Sequence, residues 1–99
     1  MRLSGHYRTT IKEILTRHFG EESKFYLFGS RVDDTKRGGD IDLYIETDLD
    51  SDKAWDARSK SWIEMQRRLE EQKIDIVVHI NGTEFSGIEK IAKRDGVEL

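Results

Sequence analysis

Between Tyr7 and Phe19, the residues Tyr7, Ile11, Ile14, Leu15 and Phe19 return every three or four positions or in adjacent pairs, with Arg8, Lys12, Glu13 and Arg17 between them. That spacing predicts an amphipathic helix, with Gly20 as its stop. Lys24 to Phe28 is a compact aromatic and aliphatic run and predicts a buried strand ending at Gly29-Ser30. Residues 31–39 hold charges and paired glycines, which is loop chemistry. From Asp40 to Glu46 the period changes to two: Ile41, Leu43 and Ile45 point one way, Asp40, Asp42 and Tyr44 the other. Thr47 to Lys53 is acidic and short of apolar groups, and predicts a loop in which Asp50 or Ser51 caps a helix. That helix runs over about 53–71, with Trp55, Trp62, Met65 and Leu69 as its apolar stripe. Ile74 to Ile80 predicts a β-branched strand interrupted by Asp75. Asn81-Gly82 turns the chain, and Asn81 with Glu84 three residues later reads as a capping box. Phe85, Ile88, Ile91 and Ala92 predict a last short helix stopped by Gly96. The order helix, strand, strand, helix, strand, helix predicts one α/β (α+β) domain over 1–99. Its core is a small mixed sheet of three to four strands, with helices mainly on one face and the carboxylates on the opposite, open face.

Composition narrows the function classes. The chain has 99 residues, 35% apolar and 37% charged, and a net charge of −3. The charged share is high against the roughly 25% of an average globular protein, but the apolar residues are clustered periodically, so a folded domain is still expected. The acidic balance argues against a broad nucleic-acid footprint. Without cysteine there is no disulfide framework, thiolate zinc site or cysteine nucleophile. No apolar run is long enough to span a membrane, and residues 1–20 lack the apolar stretch of a secretory signal, so a cytoplasmic location is expected.

The candidate chemistry lies where carboxylates interrupt apolar strands. On a strand Asp40 and Asp42 share a face, about 6.6 Å apart along the chain. Held that close they repel, and a hard divalent cation removes the repulsion. Magnesium is typically held by one or two carboxylates plus substrate phosphates. Asp75, between Ile74 and Ile76, is costly as a carboxylate unless paired, metal-bound or at an open edge. Three aspartates on adjacent strands suit two magnesium ions and in-line displacement at phosphorus. Phe28-Gly29-Ser30-Arg31 supplies the phosphate side. Gly29 allows close backbone approach, Ser30 offers a hydroxyl and an N–H, and Arg31 offers a planar fork. No G-x-x-x-x-G-K-[ST] and no G-x-G-x-x-G occurs.

Gly29-Ser30, nine residues, then Asp40-Ile41-Asp42 resembles the signature of the minimal nucleotidyltransferases of the DNA polymerase β-like superfamily. Lys73 to Val78 is similar to the later strand that carries that family's third carboxylate, and Ile88 to Val97 is also family-like, so the resemblance covers nearly the whole chain. Many members have ten residues in the interval that here has nine. The resemblance implies transfer of a nucleotide monophosphate, often AMP from ATP, to a hydroxyl with magnesium. It implies Asp40 and Asp42 as metal ligands, and Gly29 and Ser30 on the β/γ-phosphates. It makes Asp75 a ligand of the acceptor-side metal that helps deprotonate the attacking hydroxyl. Small members are often paired with a helical HEPN ribonuclease toxin, and some act as antitoxins that attach AMP to a toxin tyrosine. The expected partners are therefore a nucleoside triphosphate and a HEPN-type protein, or a second copy in a homodimer. The alternative is a binding module of the same fold that neutralises a toxin by complex formation. A weaker third option is transfer to a small molecule.

Each of these residues also has a plainer reading. Asp40 and Asp42 read alternatively as solvated residues of a two-sided strand, and Asp75 as a strand-edge carboxylate paired with Lys73 or Arg68. Gly29-Ser30 alternatively forms an ordinary turn, and Arg31 an ion pair with Asp33 or Asp34. His6, His18 and His79 read as solvated or satisfied histidines, with His79 the one placed to line a cleft. Trp55 and Trp62 are expected to cover the sheet.

Overall fold

The computed structural model describes residues 5–29, 41–69 and 73–99. Helix α1 (Gly5–Phe19) leads to strand β1 (Lys24–Phe28). Gly20 ends the helix at φ 95°, its N–H bonding back to the Thr16 carbonyl at 2.9 Å. Strand β2 (Ile41–Thr47) then runs antiparallel to β1. Helix α2 (Ser51–Arg68) is the crossover to strand β3 (Ile74–Ile80), which lies parallel to β2 as such a crossover requires. Helix α3 (Gly87–Asp95) and the two-residue strand β4 (Val97–Glu98) close the chain. The sheet order is β3-β2-β1-β4.

Strand alternation divides the sheet. Phe25 and Leu27, Ile41, Leu43 and Ile45, and Ile74 and Ile76 face the core and are buried against Ile11, Ile14, Leu15 and Phe19 of α1 and Ala57 and Met65 of α2. Where α1 meets α2, Glu64 gathers Arg17, His18 and Arg68. Together these contacts draw its carboxyl down to about 2. The His18 hydrogen bond is the largest cause, followed by those from Arg17 and Arg68, all working against partial burial.

The mixed sheet with two helices on one face is as expected, at the upper strand number. Four details differ. The buried stripe of α2 is Ala54, Ala57, Ser61 and Met65, whereas Trp55 and Trp62 are 65% and 42% exposed. The small side chains let α2 approach the sheet closely and leave the indoles at its margin. The capping box is Ser86–Glu89, not Asn81–Glu84. Asn81 instead bonds Asp48 and the Thr47 carbonyl. Phe85 precedes the last helix rather than belonging to it. Finally, α3 is not a second cover for the core face: its Glu89 and Lys93 reach His79 and Glu46 on the opposite face, so that face is open over only part of its length.

Candidate active site

Three segments remote in sequence meet at one end of the sheet. Strands β2 and β3 are parallel, so their second residues come side by side: Asp42 is in register with Asp75. Register partners on parallel strands point to the same face, about 4.8 Å apart in the hydrogen-bonding direction. Strand β1 is antiparallel, so it ends where β2 begins, and Phe28 is opposite Asp42. Gly29 therefore arrives against the Asp42 side chain. A Cβ on Gly29 would collide with Asp42 Oδ2, and would lie 3.1 Å from its Cγ and 3.3 Å from its Cβ. At φ 78°, Gly29 also has a backbone that L side chains rarely adopt. The turn thus combines a left-handed backbone with a close approach to a carboxylate. Asp42 is half-buried and Asp75 exposed.

Asp42, Tyr44 and Glu46 share a face with Asp75, Val77 and His79. Away from the aspartates this face is closed by a polar network. The Tyr44 hydroxyl donates to Glu46 Oε2 at 3.0 Å, and Lys93 Nζ lies 3.0 Å from the same oxygen. Burial, then the bond to Glu46, pushes the Tyr44 hydroxyl far up, so it stays a donor. His79 is buried, stacked on Phe85 at 3.9 Å between ring centres, with Nδ1 2.7 Å from Glu89 Oε1. Burial pushes the Glu89 carboxyl up, but the bonds from Ser86 and His79 outweigh it and hold it below its ordinary value. An ionised Glu89 only accepts, so Nδ1 of His79 carries the proton. His79 is thus a satisfied histidine in a wall, not a cleft residue. The Tyr44–Glu46–Lys93 part of the wall was not anticipated, although Tyr44 and Glu46 follow Asp42 at strand spacing.

Of the candidate residues, the fold brings together Gly29, Asp42 and Asp75. Ser30, Arg31 and Asp40 lie outside the described residues. Among the described residues no group of three His, Cys, Asp or Glu side chains is placed to hold a metal ion. The described donors nevertheless fit a hard cation: two carboxylates in register, beside a glycine whose missing Cβ leaves room at one of them. Among the described residues no helix is long and apolar enough to cross a membrane.

No curated protein matches the chain. The family described as polymerase beta, nucleotidyltransferase, matches residues 9–99. That span holds the whole sheet, the crossover helix and all three converging residues. By this match over more than half of its length the chain belongs to the polymerase beta nucleotidyltransferase family, as a minimal nucleotidyltransferase domain.

Proposed function

We propose that the protein is a magnesium-dependent enzyme that transfers AMP from ATP to a hydroxyl on a partner protein. The observation that carries this reading is the in-register pair Asp42 and Asp75, with Gly29 packed against Asp42. Family membership supports the coarser activity, nucleotidyl transfer. Asp40, Asp42 and Asp75 would hold two magnesium ions. When bound, these ions supply charge neutralisation at the phosphates and ease loss of the hydroxyl proton.

Gly29 and Ser30 take the β/γ-phosphates, and Arg31 contributes its guanidinium to them. Asp75, on the edge strand, faces the acceptor. The acceptor oxygen forms a bond to the α-phosphorus as the bond to the bridging oxygen breaks. Pyrophosphate leaves with that electron pair, and the hydroxyl proton passes to the Asp75 carboxylate and on to water. AMP ends on the acceptor. A helical HEPN-type toxin is the acceptor that the sequence resemblance favours, which makes this chain an antitoxin acting in the cytoplasm.

Incubation with α-labelled ATP, magnesium and the candidate partner, followed by intact mass measurement, tests the reading. The partner should gain one AMP with the wild type. Asp75→Asn should bind Mg-ATP about as well yet lose transfer by at least the roughly 10²–10⁴-fold typical of general-base assistance. If both forms neutralise the partner equally and neither adds mass, the protein is a binding module instead.

A further inference from the structure

We infer that Arg58 and Trp62 are positioning residues that hold Asp75 in place by bonding the backbone on either side of it. This rests on the role given to Asp75 above. Strand β3 is at the sheet edge, with β2 as its only strand neighbour among the described residues. The carbonyls of Ile74 and Ile76 point away from β2, where an edge strand ordinarily meets water. Here both are taken by α2: Trp62 Nε1 donates to the Ile74 carbonyl at 3.1 Å, and Arg58 Nε to the Ile76 carbonyl at 2.9 Å. These two residues flank Asp75 directly.

The match is geometric. Arg58 and Trp62 are four residues apart, a rise of about 6.0 Å along a helix. Ile74 and Ile76 are two apart, about 6.6 Å along a strand. The later helix residue bonds the earlier strand residue, so α2 runs antiparallel to β3 and the donors fall opposite the carbonyls without distortion. Trp55 steadies the arginine, with the guanidinium 5.1 Å from the indole centre. This also gives a reason for tryptophan at an exposed helix margin: the indole N–H is a donor on a rigid arm with few rotatable bonds.

The consequence concerns placement rather than fold. The central carboxylate, Asp42, is fixed by strands on both sides, whereas among the described residues Asp75 has a strand on one side only. Below the sheet plane, Ile74 and Ile76 are anchored in the core. The in-plane position on the outer side is set by the two donors. A catalytic carboxylate displaced by about 1 Å can cost on the order of 10²-fold in rate.

The test uses Trp62→Phe and Arg58→Met, which keep the ring and the stem. In metal-free protein, amide hydrogen exchange at Asp75–Val77 should quicken about 10-fold, with α1 amides unchanged. In the transfer assay kcat should fall about 10-fold or more while Mg-ATP affinity stays within about twofold. A general structural defect would move α1 exchange and ATP affinity as well. Wild-type exchange at Asp75–Val77 in both variants, or equal losses in kcat and affinity, would overturn the inference. Asp75→Asn is run alongside. If it transfers as well as wild type, the proposed function fails, and the exchange arm alone decides whether these side chains hold the strand.

Discussion

Gly29→Ala separates the two demands placed on that residue. The first is conformational: at φ 78° an L side chain costs about 1–2 kcal/mol. In a domain of this size each kcal/mol lowers the melting temperature by about 4–8 °C. The second is the collision of the new Cβ with Asp42 Oδ2. The Asp42 side chain is short and its Cβ would lie only 3.3 Å away, so relief requires the carboxylate to swing off its site or the turn to move. Gly20→Ala is the matched control. Gly20 sits at φ 95° with nothing among the described residues within 4 Å of a Cβ, so it carries the same backbone cost and no collision. Gly20→Ala should lose about 1–2 kcal/mol, and Gly29→Ala at least as much. A ligand that binds only the native state adds about 2.7 kcal/mol at 100 times its Kd. By differential scanning fluorimetry, wild type and Gly20→Ala should show this magnesium-dependent rise with ATP, and Gly29→Ala should lose most of it. A full magnesium-dependent shift in Gly29→Ala would refute the placement of Asp42 at the nucleotide. Loss of the shift in Gly20→Ala as well would show that strain alone explains the effect.

Two further outcomes concern stability. Glu64 holds its carboxyl at about 2, below its ordinary value, so it stabilises the fold above pH ~4.5 and that contribution is lost as pH falls towards 2. Its partners are partly exposed, so Glu64→Gln should cost about 1 kcal/mol at pH 7, and a melting difference that does not shrink between pH 5 and 2 would contradict the assignment. Ser61 Oγ is buried in α2 with no hydrogen-bond partner among the described residues, so Ser61→Ala should leave stability unchanged or raise it by up to about 1 kcal/mol; a drop of that size in chemical denaturation would be the contrary result.

Much of the fold was legible because its signals are local. The alternation of Ile41, Leu43 and Ile45 fixed the buried face of β2, and the β-branched run at 74–80 fixed β3. For Asp42 and Asp75 the sequence pattern predicts adjacent strands and nothing finer. The register that places them side by side depends on the length and docking of α2, which no local pattern encodes. In α2, Met65 and Leu69 are buried as their spacing predicts, whereas Trp55 and Trp62 are not, for a physical reason. Large apolar side chains were assigned to the core, yet a helix that packs closely on a sheet presents Ala54, Ala57 and Ser61 and leaves its tryptophans at the margin. The capping box is ambiguous in the sequence because Asn81 and Ser86 each have a glutamate three residues on. Only the turn beyond Ile80 decides which one starts the helix. Strand β4 is two residues long, too short for any periodicity.

The two ends of the site face obey opposite electrostatic rules. At one end, Glu46, Tyr44, His79 and Glu89 are largely buried, and the Tyr44–Glu46 and His79–Glu89 hydrogen bonds and the Lys93 ion pair offset the desolvation cost. At the other end, Asp42 and Asp75 stand in register as like charges, one of them exposed. A fold seeking only stability would place at both positions the β-branched residues that surround them. Helix α3 covers the bonded end with Glu89 and Lys93. The network therefore works as a wall. It fixes the middle of β2 through Tyr44 and Glu46, two and four residues beyond Asp42, and so stiffens the strand that carries the central carboxylate. The edge carboxylate receives the equivalent support from α2 on the outer side of β3. Each aspartate is thus supported by its own set of donors acting a few residues away, on the face that the proposed function assigns to a cation and phosphates.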